Sequence, residues 1–249
     1  MSDGTAQPSF LATYLEEFSR KDYKGEHNLE DLKAATGAIY AGGAETTYST
    51  VNTFILAMLL HPEVLKRAHK EIDDVIGNKR LPDFDDRENL PYIEAIFQET
   101  LRWRPVVPLG VPHSTMQDDT YNGMFIPKGT MIFANAWSMA MDEKTYHDPH
   151  LFKPERFLSA PEGNGEPFPH ASFGFGRRVC PGRFLAMGSV WMAIASLSAT
   201  MDIRKVVGPD GKEITPKGEY TSGLSSFPKA FPADIRPRSE AVRSLILSY

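Results

Sequence analysis

Apolar residues recur at helical spacing through most of the chain. In the stretch 29–60, Val51, Phe54, Ile55, Met58 and Leu59 fall on one stripe, which is the pattern of a helix with one buried face. At 1.5 Å per residue, such a helix would be about 45 Å long or more. Spacing together with the positions of Pro and Gly predicts four further helices, over residues 11–20, 62–77, 91–105 and 184–201.

Turn signals interrupt this helical pattern in two regions. Asp118-Asp119 and Asn122-Gly123 lie between the stretches 108–113 and 126–130, which predicts short strands and hairpins there. The sequence Gly-Pro-Asp-Gly at 208–211 predicts the start of a terminal hairpin region. The patterns together predict a mainly α fold with small β-sheets, without an internal repeat or a second domain.

The composition of the chain argues against several classes of protein. The chain has 249 residues, 41% of them hydrophobic, so it can bury a core. With a net charge of −5, it lacks the excess of basic residues that is typical of nucleic-acid binding. A single cysteine excludes an internal disulfide framework, which favours a reducing, cytosol-facing compartment. No run near twenty apolar residues appears, and the segment 1–4 has no signal-peptide or anchor pattern.

The single cysteine, Cys180, lies in the glycine-rich decapeptide 173–182, Phe-Gly-Phe-Gly-Arg-Arg-Val-Cys-Pro-Gly. A lone cysteine is most often a small buried hydrophobe. Here the glycines allow turns with positive φ or a close approach to a flat ligand, and Arg177 and Arg178 place cations beside the sulfur. The helix expected from about Phe184 would direct its free N–H groups toward the thiol, which favours a thiolate. Such a thiolate suits a metal or an electrophile.

This loop resembles the haem-binding loop of the cytochrome P-450 family, Phe-x-x-Gly-x-Arg-x-Cys-x-Gly. The residues that match it without a gap are Phe173, Gly176, Arg178, Cys180 and Gly182. The resemblance implies that Cys180 is the proximal thiolate ligand of the iron in haem b (iron protoporphyrin IX), where electron donation favours O–O cleavage. It also implies that Arg178 pairs with a haem propionate, and that Phe173, Gly174 and the other loop glycines contact the cofactor.

A second segment, residues 41–47 (Ala-Gly-Gly-Ala-Glu-Thr-Thr), places adjacent glycines inside the long predicted helix. Each glycine costs a helix interior about 1 kcal/mol relative to alanine. Close helix–helix packing is one explanation, and a helix that opens locally beside a flat cofactor is the other. The segment is similar to the family's distal-helix pattern, Ala/Gly-Gly-x-Asp/Glu-Thr-Thr/Ser. That match implies that Gly43 lies against the haem, that Thr46 hydrogen-bonds dioxygen and that Glu45 helps to deliver protons.

A Glu-x-x-Arg pattern places Glu99 and Arg102 on one helical face. Alone, this pattern usually marks a solvated face. Residues 152–157 follow it in the chain and resemble the family's Pro-Glu-Arg-Phe box, so the match implies that Arg156 completes a buried ion network with Glu99 and Arg102. The role of such a network is structural, because buried ion pairs contribute more to specificity than to net stability.

Three histidines are candidates for a cofactor or metal site. His113 follows Pro112, and in the family the histidine of this Pro-His pair lies near a propionate, so His113 is a candidate haem contact; an ordinary strand-edge histidine is the alternative. His147 and His150 have the spacing of a metal pair, but Pro149 lies between them and no third ligand is evident in the sequence. We interpret this pair as surface residues.

The resemblance covers roughly residues 29–238, including the stretch 220–232, which is similar to the family's last hairpin. Family members of the fungal microsomal type are about twice as long and begin with a membrane anchor. The resemblance therefore implies that residues 1–249 are a partial haem domain, the carboxy-terminal half of the fold, without the amino-terminal half and the anchor. It places a full-length parent at the cytosolic face of the endoplasmic reticulum membrane, and this fragment alone in the cytosol.

The function implied by the resemblance is that of a haem-thiolate monooxygenase. Such an enzyme inserts one oxygen atom of O₂ into a hydrophobic organic substrate, with electrons from NADPH through an NADPH-cytochrome reductase that carries FAD and FMN; no nucleic-acid partner is expected. By the same match, residues 38–44, 106–111 and 224–227 would line the substrate pocket. The alternative is a truncated, non-catalytic remnant that cannot hold haem stably.

The resemblance also predicts where the reductase would dock. Electrons must arrive on the thiolate side, so the basic loop residues Arg177 and Arg183 are expected to face the partner. On the helix 62–77, Lys66, Arg67 and Lys70 form a second basic cluster, for which a merely solvated face is the alternative.

Overall fold

The computed structural model describes residues 7–20 and 24–248 and divides into two compact units, Met1–Thr46 and Thr47–Tyr249. The helices are α1 (Phe10–Phe18), α2 (Leu29–Leu60), α3 (Pro62–Val75), α4 (Pro91–Trp103), α5 (Ala136–Ala140), α6 (Arg183–Thr200) and α7 (Glu240–Ile246). The strands are β1 (His113–Ser114), β2 (Asp119–Tyr121), β3 (Met124–Ile126), β4 (Met131–Ile132), β5 (Met201–Arg204) and β6 (Asp234–Pro237). The prediction of a mainly α fold with small β-sheets is confirmed.

The first unit contains α1 and the beginning of α2, and side chains cap both helices. The Ser9 hydroxyl accepts a hydrogen bond from Ala12 N at 3.1 Å. At α2, Asn28 Oδ1 accepts from Glu30 N at 2.8 Å and from Asp31 N at 3.1 Å, while the Asp31 carboxylate accepts from Asn28 N at 2.9 Å. A cap of this kind stabilises a helix start by about 0.5–2 kcal/mol, which explains why the long helix begins at Leu29.

The core of the second unit lies between α3, α4 and α6. Ile93, Ile96 and Phe97 of α4 and Trp191 and Ile194 of α6 are fully buried, and burying a side chain of this kind contributes about 1.5–3 kcal/mol. Helix α4 also packs against the 3₁₀ turn Pro154–Phe157. This packing brings the Glu-x-x-Arg helix and the Pro-Glu-Arg-Phe box side by side.

Helix α4 is capped by a neighbouring helix. Its own N-cap residue, Leu90, has no side-chain acceptor, so the free N–H groups of Tyr92 and Ile93 donate to the carboxylate of Glu71 on α3, at 2.8 and 3.0 Å. Burial raises the pKa of Glu71, and the two backbone hydrogen bonds oppose that shift. The first turn of α4 is thus fixed by a tertiary contact to α3.

In the part of the chain that the structure describes, the strands form three two-stranded antiparallel sheets, which pair β1 with β4, β2 with β3, and β5 with β6. Asn122 and Gly123, with φ of 50° and 77°, form the turn between β2 and β3, so the hairpin predicted from this dipeptide is confirmed. At 208–211 the chain makes a tight turn in which Gly211 N donates to Gly208 O at 3.0 Å. Only an isolated bridge, between Val207 and Glu213, accompanies that turn among the described residues.

The last long helix ends earlier than predicted. Helix α6 runs from Arg183 to Thr200, and Met201 begins β5, where it pairs with Pro237. Strand pairing with a segment far along the chain therefore decides the boundary, and helical periodicity does not contain that information. Within residues 7–20 and 24–248, no helix combines the length and the apolar character needed to span a membrane.

Candidate functional site

The cysteine loop is closed by backbone geometry. Gly174 and Gly176 have φ of 75° and 57°, a region that residues with a side chain rarely adopt. These turns bring Cys180 N within 2.8 Å of Phe173 O, to which it donates, and Arg183 N donates to Cys180 O at 3.3 Å. Since α6 begins at Arg183 with Gly182 as its N-cap, Cys180 lies immediately before the helix, where the sequence predicts it.

The surroundings of the thiol fit a flat apolar group. Cys180 is partly exposed, and a Cβ built on Gly182 would lie in van der Waals contact with the sulfur, at 3.9 Å. The nearby apolar residues Phe175, Phe184 and Leu185 are 48%, 68% and 74% exposed. Exposed large apolar side chains beside an accessible thiol are the surface that a bound macrocycle would cover.

A metal at this site would have one protein ligand. Among residues 7–20 and 24–248, no group of three or more His, Cys, Asp or Glu side chains converges on one point. A site built from protein ligands alone normally needs three or four. A single thiolate is sufficient when a porphyrin supplies the other ligands in its plane, so the donor set at Cys180 suits haem iron.

The basic residues of the loop are available for an anionic group. Arg177 and Arg178 are exposed, and in the described part of the chain neither they nor Arg183 pairs with a carboxylate. Arg183 Nη1 lies 3.4 Å from Cys180 O, and its guanidinium lies over the Phe184 ring, 4.2 Å from the centroid. Arg178, the predicted propionate partner, therefore has its donors free for such a role.

The adjacent-glycine segment belongs to the first unit. Residues 29–60 are α-helical throughout, so the local opening expected here is absent, and the Thr46 hydroxyl instead donates to Gly42 O at 2.7 Å, within the helix. Gly43 and Glu45 are exposed. Within this unit, no described atom lies within 4 Å of a Cβ built on Gly42 or Gly43. Packing inside the unit does not account for these glycines, and the roles of Gly43, Glu45 and Thr46 stay predictions.

The structure brings Glu99, Arg102 and Arg156 together. Arg102 Nε donates to Glu99 Oε2 at 2.7 Å and Nη2 donates to Oε1 at 2.8 Å, a bidentate pair. Arg156 Nε lies 3.2 Å from Glu99 Oε2. All three side chains are at most 1% exposed, so this is a fully buried ion network.

Backbone groups complete the network. Glu99 Oε1 also accepts from Lys153 N at 2.7 Å, and Arg102 Nη1 donates to Ala140 O at 2.8 Å. Burial raises the pKa of Glu99, while the hydrogen bonds from Arg102 and the charge of Arg156 oppose that shift. The Glu99 carboxylate thus accepts hydrogen bonds from both arginine side chains and from one backbone N–H.

The network has a fourth member, Glu166, which the sequence pattern did not predict. Arg156 Nη1 donates to Glu166 Oε2 at 2.8 Å and also to His147 O, and His147 N donates to Glu166 Oε1 at 3.1 Å. Glu166 lies in the loop after the Pro-Glu-Arg-Phe box, in a Gly-Glu-Pro context without any periodic pattern. Only the surplus of two arginines over one glutamate in the predicted network indicated that another carboxylate was needed.

The predicted histidine sites are exposed. His113 lies on β1 opposite Ile132 with its side chain exposed, which leaves it accessible to a cofactor. His147 and His150 are also exposed. Their backbone carbonyls accept hydrogen bonds from Arg156 and from Trp103 Nε1, the latter at 3.1 Å.

Two of the three stretches predicted to line the substrate pocket meet in the second unit. Ser226 N donates to Val106 O at 2.7 Å, and the Ser49 hydroxyl of α2 donates to Ser226 O at 2.9 Å. Beside this junction, Val111 and Leu224 are 61% and 60% exposed. The junction thus presents apolar side chains from both stretches. Residues 38–44 belong to the first unit.

The basic cluster on α3 is not a free cationic patch. Arg67 Nη1 lies 3.4 Å from a Glu155 oxygen, and its Nη2 pairs with Glu162. Lys70 Nζ lies 2.5 Å from an Asp74 oxygen. These pairs line a cavity of about 690 Å³ between α3, the start of α4 and residues 158–162. Neighbouring carboxylates thus partly compensate two of the three charges of this face, and its role in steering a reductase stays a prediction.

Comparison with known sequences identifies the relatives of this chain. The family model described as Cytochrome P450 matches residues 2–198. Cytochrome P450 monooxygenase 136 of Postia placenta is 44% identical over 248 residues, which cover 99% of this chain and 47% of the relative. Cytochrome P450 monooxygenase claR of Ampulloclitocybe clavipes is 45% identical over 249 residues, covering 99% of this chain and 45% of the relative.

A further relative comes from another fungus. Cytochrome P450 monooxygenase CLM2 of Gibberella zeae is 43% identical over 251 residues, covering 99% of this chain and 47% of the relative. The chain therefore spans about half the length of the curated relatives that it matches.

Proposed function

Because the chain belongs to the cytochrome P450 family, we propose that it is the haem-binding, carboxy-terminal part of a monooxygenase that oxidises a hydrophobic organic compound. The observation that carries this proposal is the partly exposed Cys180, in a closed loop with a glycine beside its sulfur and exposed apolar side chains close to it in the chain. The proposed domain is a partial haem domain over residues 1–249.

In this proposal the cofactor is haem b, and the residues that hold it are those of the loop and of β1. Cys180 supplies the thiolate, Arg178 and His113 bind the propionates, and the glycines 174, 176 and 182 let the backbone lie close to the ring. The bound haem supplies reductive activation of O₂, in which two electrons and two protons leave one oxygen atom in the substrate and one in water. The chain's part is to orient the cofactor, exclude water and deliver protons.

The proposed substrate is hydrophobic because the predicted pocket stretches are apolar. Leu109, Val111 and Leu224 project exposed apolar surface at or beside the junction of residues 106–111 with 224–227. Burial of apolar substrate surface contributes roughly 25 cal/mol per Å², so these residues favour a ligand with a large apolar body.

The test is a haem-binding measurement on the chain itself. Haem is added to purified chain, and the sample is reduced and treated with carbon monoxide. The proposal expects the red-shifted Soret band of a thiolate-ligated haem. Aggregated protein, or a spectrum identical to that of free haem, would favour the alternative of a non-catalytic remnant.

Thr46 provides a prediction about proton delivery, made for a chain extended to the full length of its relatives. Replacing Thr46 with Ala removes the hydroxyl that the family match places beside dioxygen. We expect haem content to stay the same, product formed per NADPH to fall by about 100-fold, and peroxide release to rise. The measurements are NADPH consumption, product and peroxide in one assay. Thr46→Ser is the matched control because it keeps the hydroxyl, and equal coupling in all three proteins would contradict the role.

The electron donor in this proposal is an NADPH-dependent flavoprotein at the endoplasmic reticulum membrane, docking over the cysteine loop. Arg177 is exposed and unpaired within the described part of the chain, so Arg177→Glu should slow the first electron transfer by about tenfold at low ionic strength and weaken its salt dependence. The matched control is Lys66→Glu, which makes a charge reversal on helix α3 and not in the loop. Equal effects of the two variants would contradict docking at the loop.

A further inference from the structure

Arg104 is a half-buried cation enclosed by aromatic rings. It follows the last residue of α4 as its C-cap. Its guanidinium carbon lies 4.9 Å from the ring centroid of Trp103, 5.1 Å from that of Trp137 and 5.2 Å from that of Tyr220. The three rings come from α4, α5 and the stretch before the last turn, so different parts of the second unit build this enclosure.

No hydrogen-bond acceptor is provided for this guanidinium within residues 7–20 and 24–248. Arg104 Nε is shielded from solvent without a partner, and none of the ion pairs in the described chain includes Arg104. The fully buried Arg102 and Arg156 show the contrast, because both donate to carboxylates and backbone carbonyls. Burial lowers the pKa of Arg104 and the nearby Tyr220 hydroxyl opposes that shift, but arginine stays protonated in proteins.

The aromatic rings stabilise the positive charge of Arg104, but they provide no oxygen that accepts hydrogen bonds from its N–H groups. A ring attracts a guanidinium through its face and contributes about 0.5–2 kcal/mol, and the C-terminus of α4 attracts a cation as well. Neither interaction supplies an acceptor in the plane of the guanidinium, where the N–H groups point. An unfilled donor shielded from water is costly, so the site lacks one component.

The position of Arg104 relates this site to the predicted pocket. Arg104 precedes Pro105 and Val106, and Val106 O accepts from Ser226 N in the last turn. On the other side, Tyr220 donates its hydroxyl to Thr53 Oγ1 on α2 at 3.2 Å. The unfilled donors of Arg104 are thus built into the same junction that presents exposed apolar side chains.

We propose that Arg104 is the receptor of a carboxylate that is not among the described residues. A carboxylate matches the planar fork of a guanidinium with two parallel hydrogen bonds. It carries one negative charge for the single positive charge here, and losing its water among aromatic walls costs less than for a doubly charged phosphate. The carboxylate belongs either to a small molecule with an apolar body or to an acidic side chain of a longer chain.

The experiment compares two ligands with the same alkyl chain, one ending in a carboxylate and one in a neutral amide, on the haem-free 249-residue chain. Decanoate and decanamide are titrated against the fluorescence of Trp103 and Trp137, which flank the guanidinium. Wild type should bind decanoate at least about tenfold more tightly than decanamide. Arg104→Gln should remove this preference without changing the Kd of decanamide, whereas Arg238→Gln, which removes an arginine already paired with Asp73, should keep it.

Several results would overturn the assignment. These are an equal Kd for the two ligands in wild type, no decanoate binding at millimolar concentration, or an unchanged preference in Arg104→Gln. If Arg104→Gln does not fold, as judged by circular dichroism, Arg104→Lys replaces it, because lysine keeps the charge but loses the fork and should reduce the preference. Since no haem is needed, a negative result here is separate from failure of the proposed monooxygenase function.

A second arm distinguishes the two sources of the carboxylate. The titration is repeated on a chain extended to the full length of the relatives. Retained decanoate preference assigns the carboxylate to a small molecule, and the oxidised substrate class would then be an apolar carboxylic acid. Loss of the preference only in the extended chain assigns the site to an acidic side chain of that chain.

Discussion

Replacing Cys180 with Ala abolishes the thiolate-type spectrum of the reduced, carbon monoxide-treated chain. This is the largest effect that we expect, because Cys180 is the only cysteine in the sequence and therefore the only source of a cysteine thiolate. A histidine cannot reproduce the electron donation of a thiolate. Cys180→His should therefore retain some haem but give a different absorption maximum.

Two further measurements make the Cys180 result specific. The secondary structure and thermal unfolding of the apo variant should match those of the apo parent, since the sulfur of Cys180 lies at a partly exposed position and makes no hydrogen bond within the described chain. Arg177→Gln, three residues away, should leave the spectrum unchanged. A thiolate spectrum that persisted in Cys180→Ala would exclude Cys180 as the ligand.

Arg102→Leu should lower the free energy of unfolding by about 3–5 kcal/mol. The substitution removes both hydrogen bonds of the bidentate pair and leaves the fully buried Glu99 with an uncompensated charge. A domain of ordinary size is stabilised by only about 5–15 kcal/mol. We expect insoluble protein, or soluble protein that no longer binds haem.

Chemical denaturation followed by circular dichroism measures this loss. Arg243→Leu is the control, because Arg243 and Glu240 form an exposed i, i+3 pair on α7 and such pairs contribute about 0–1 kcal/mol. Glu99→Gln tests the same centre from the acidic side. Soluble Arg102→Leu protein with full haem content and an unchanged denaturation midpoint would contradict the structural role of the network.

The sequence predicted those features that depend on neighbours along the chain. Helical periodicity located α2, α3, α4 and α6 to within a few residues, since the buried stripe of a helix repeats every three to four positions. The Asn122-Gly123 turn was equally local, because few other dipeptides adopt two consecutive positive φ angles at low cost. The cysteine loop could be recognised because its glycines and arginines lie within ten residues.

Several contacts between residues that lie far apart along the chain could not be predicted from the sequence. Glu166 completes the charge balance of Arg156 through a loop, Glu71 caps a helix that begins 20 residues later, and Met201 leaves α6 to pair with Pro237. The pairing of Arg67 with Glu155 and Glu162 was not predicted, because these two acids lie far along the chain. In each case the partner is chosen by tertiary packing, which leaves no periodic trace.

Because Cys180 is the only cysteine in the sequence, labelling of its thiol can measure how much of the chain has bound haem. A thiol-specific reagent such as a maleimide has one cysteine to modify among 249 residues, and that cysteine is partly exposed. Labelling counted by mass spectrometry is therefore binary for each molecule: an unmodified thiol adds one tag, and a thiol bound to iron adds none. The fraction left untagged after haem loading equals the fraction of molecules with an occupied site, so occupancy in a mixed or turbid sample can be counted molecule by molecule without optical spectroscopy.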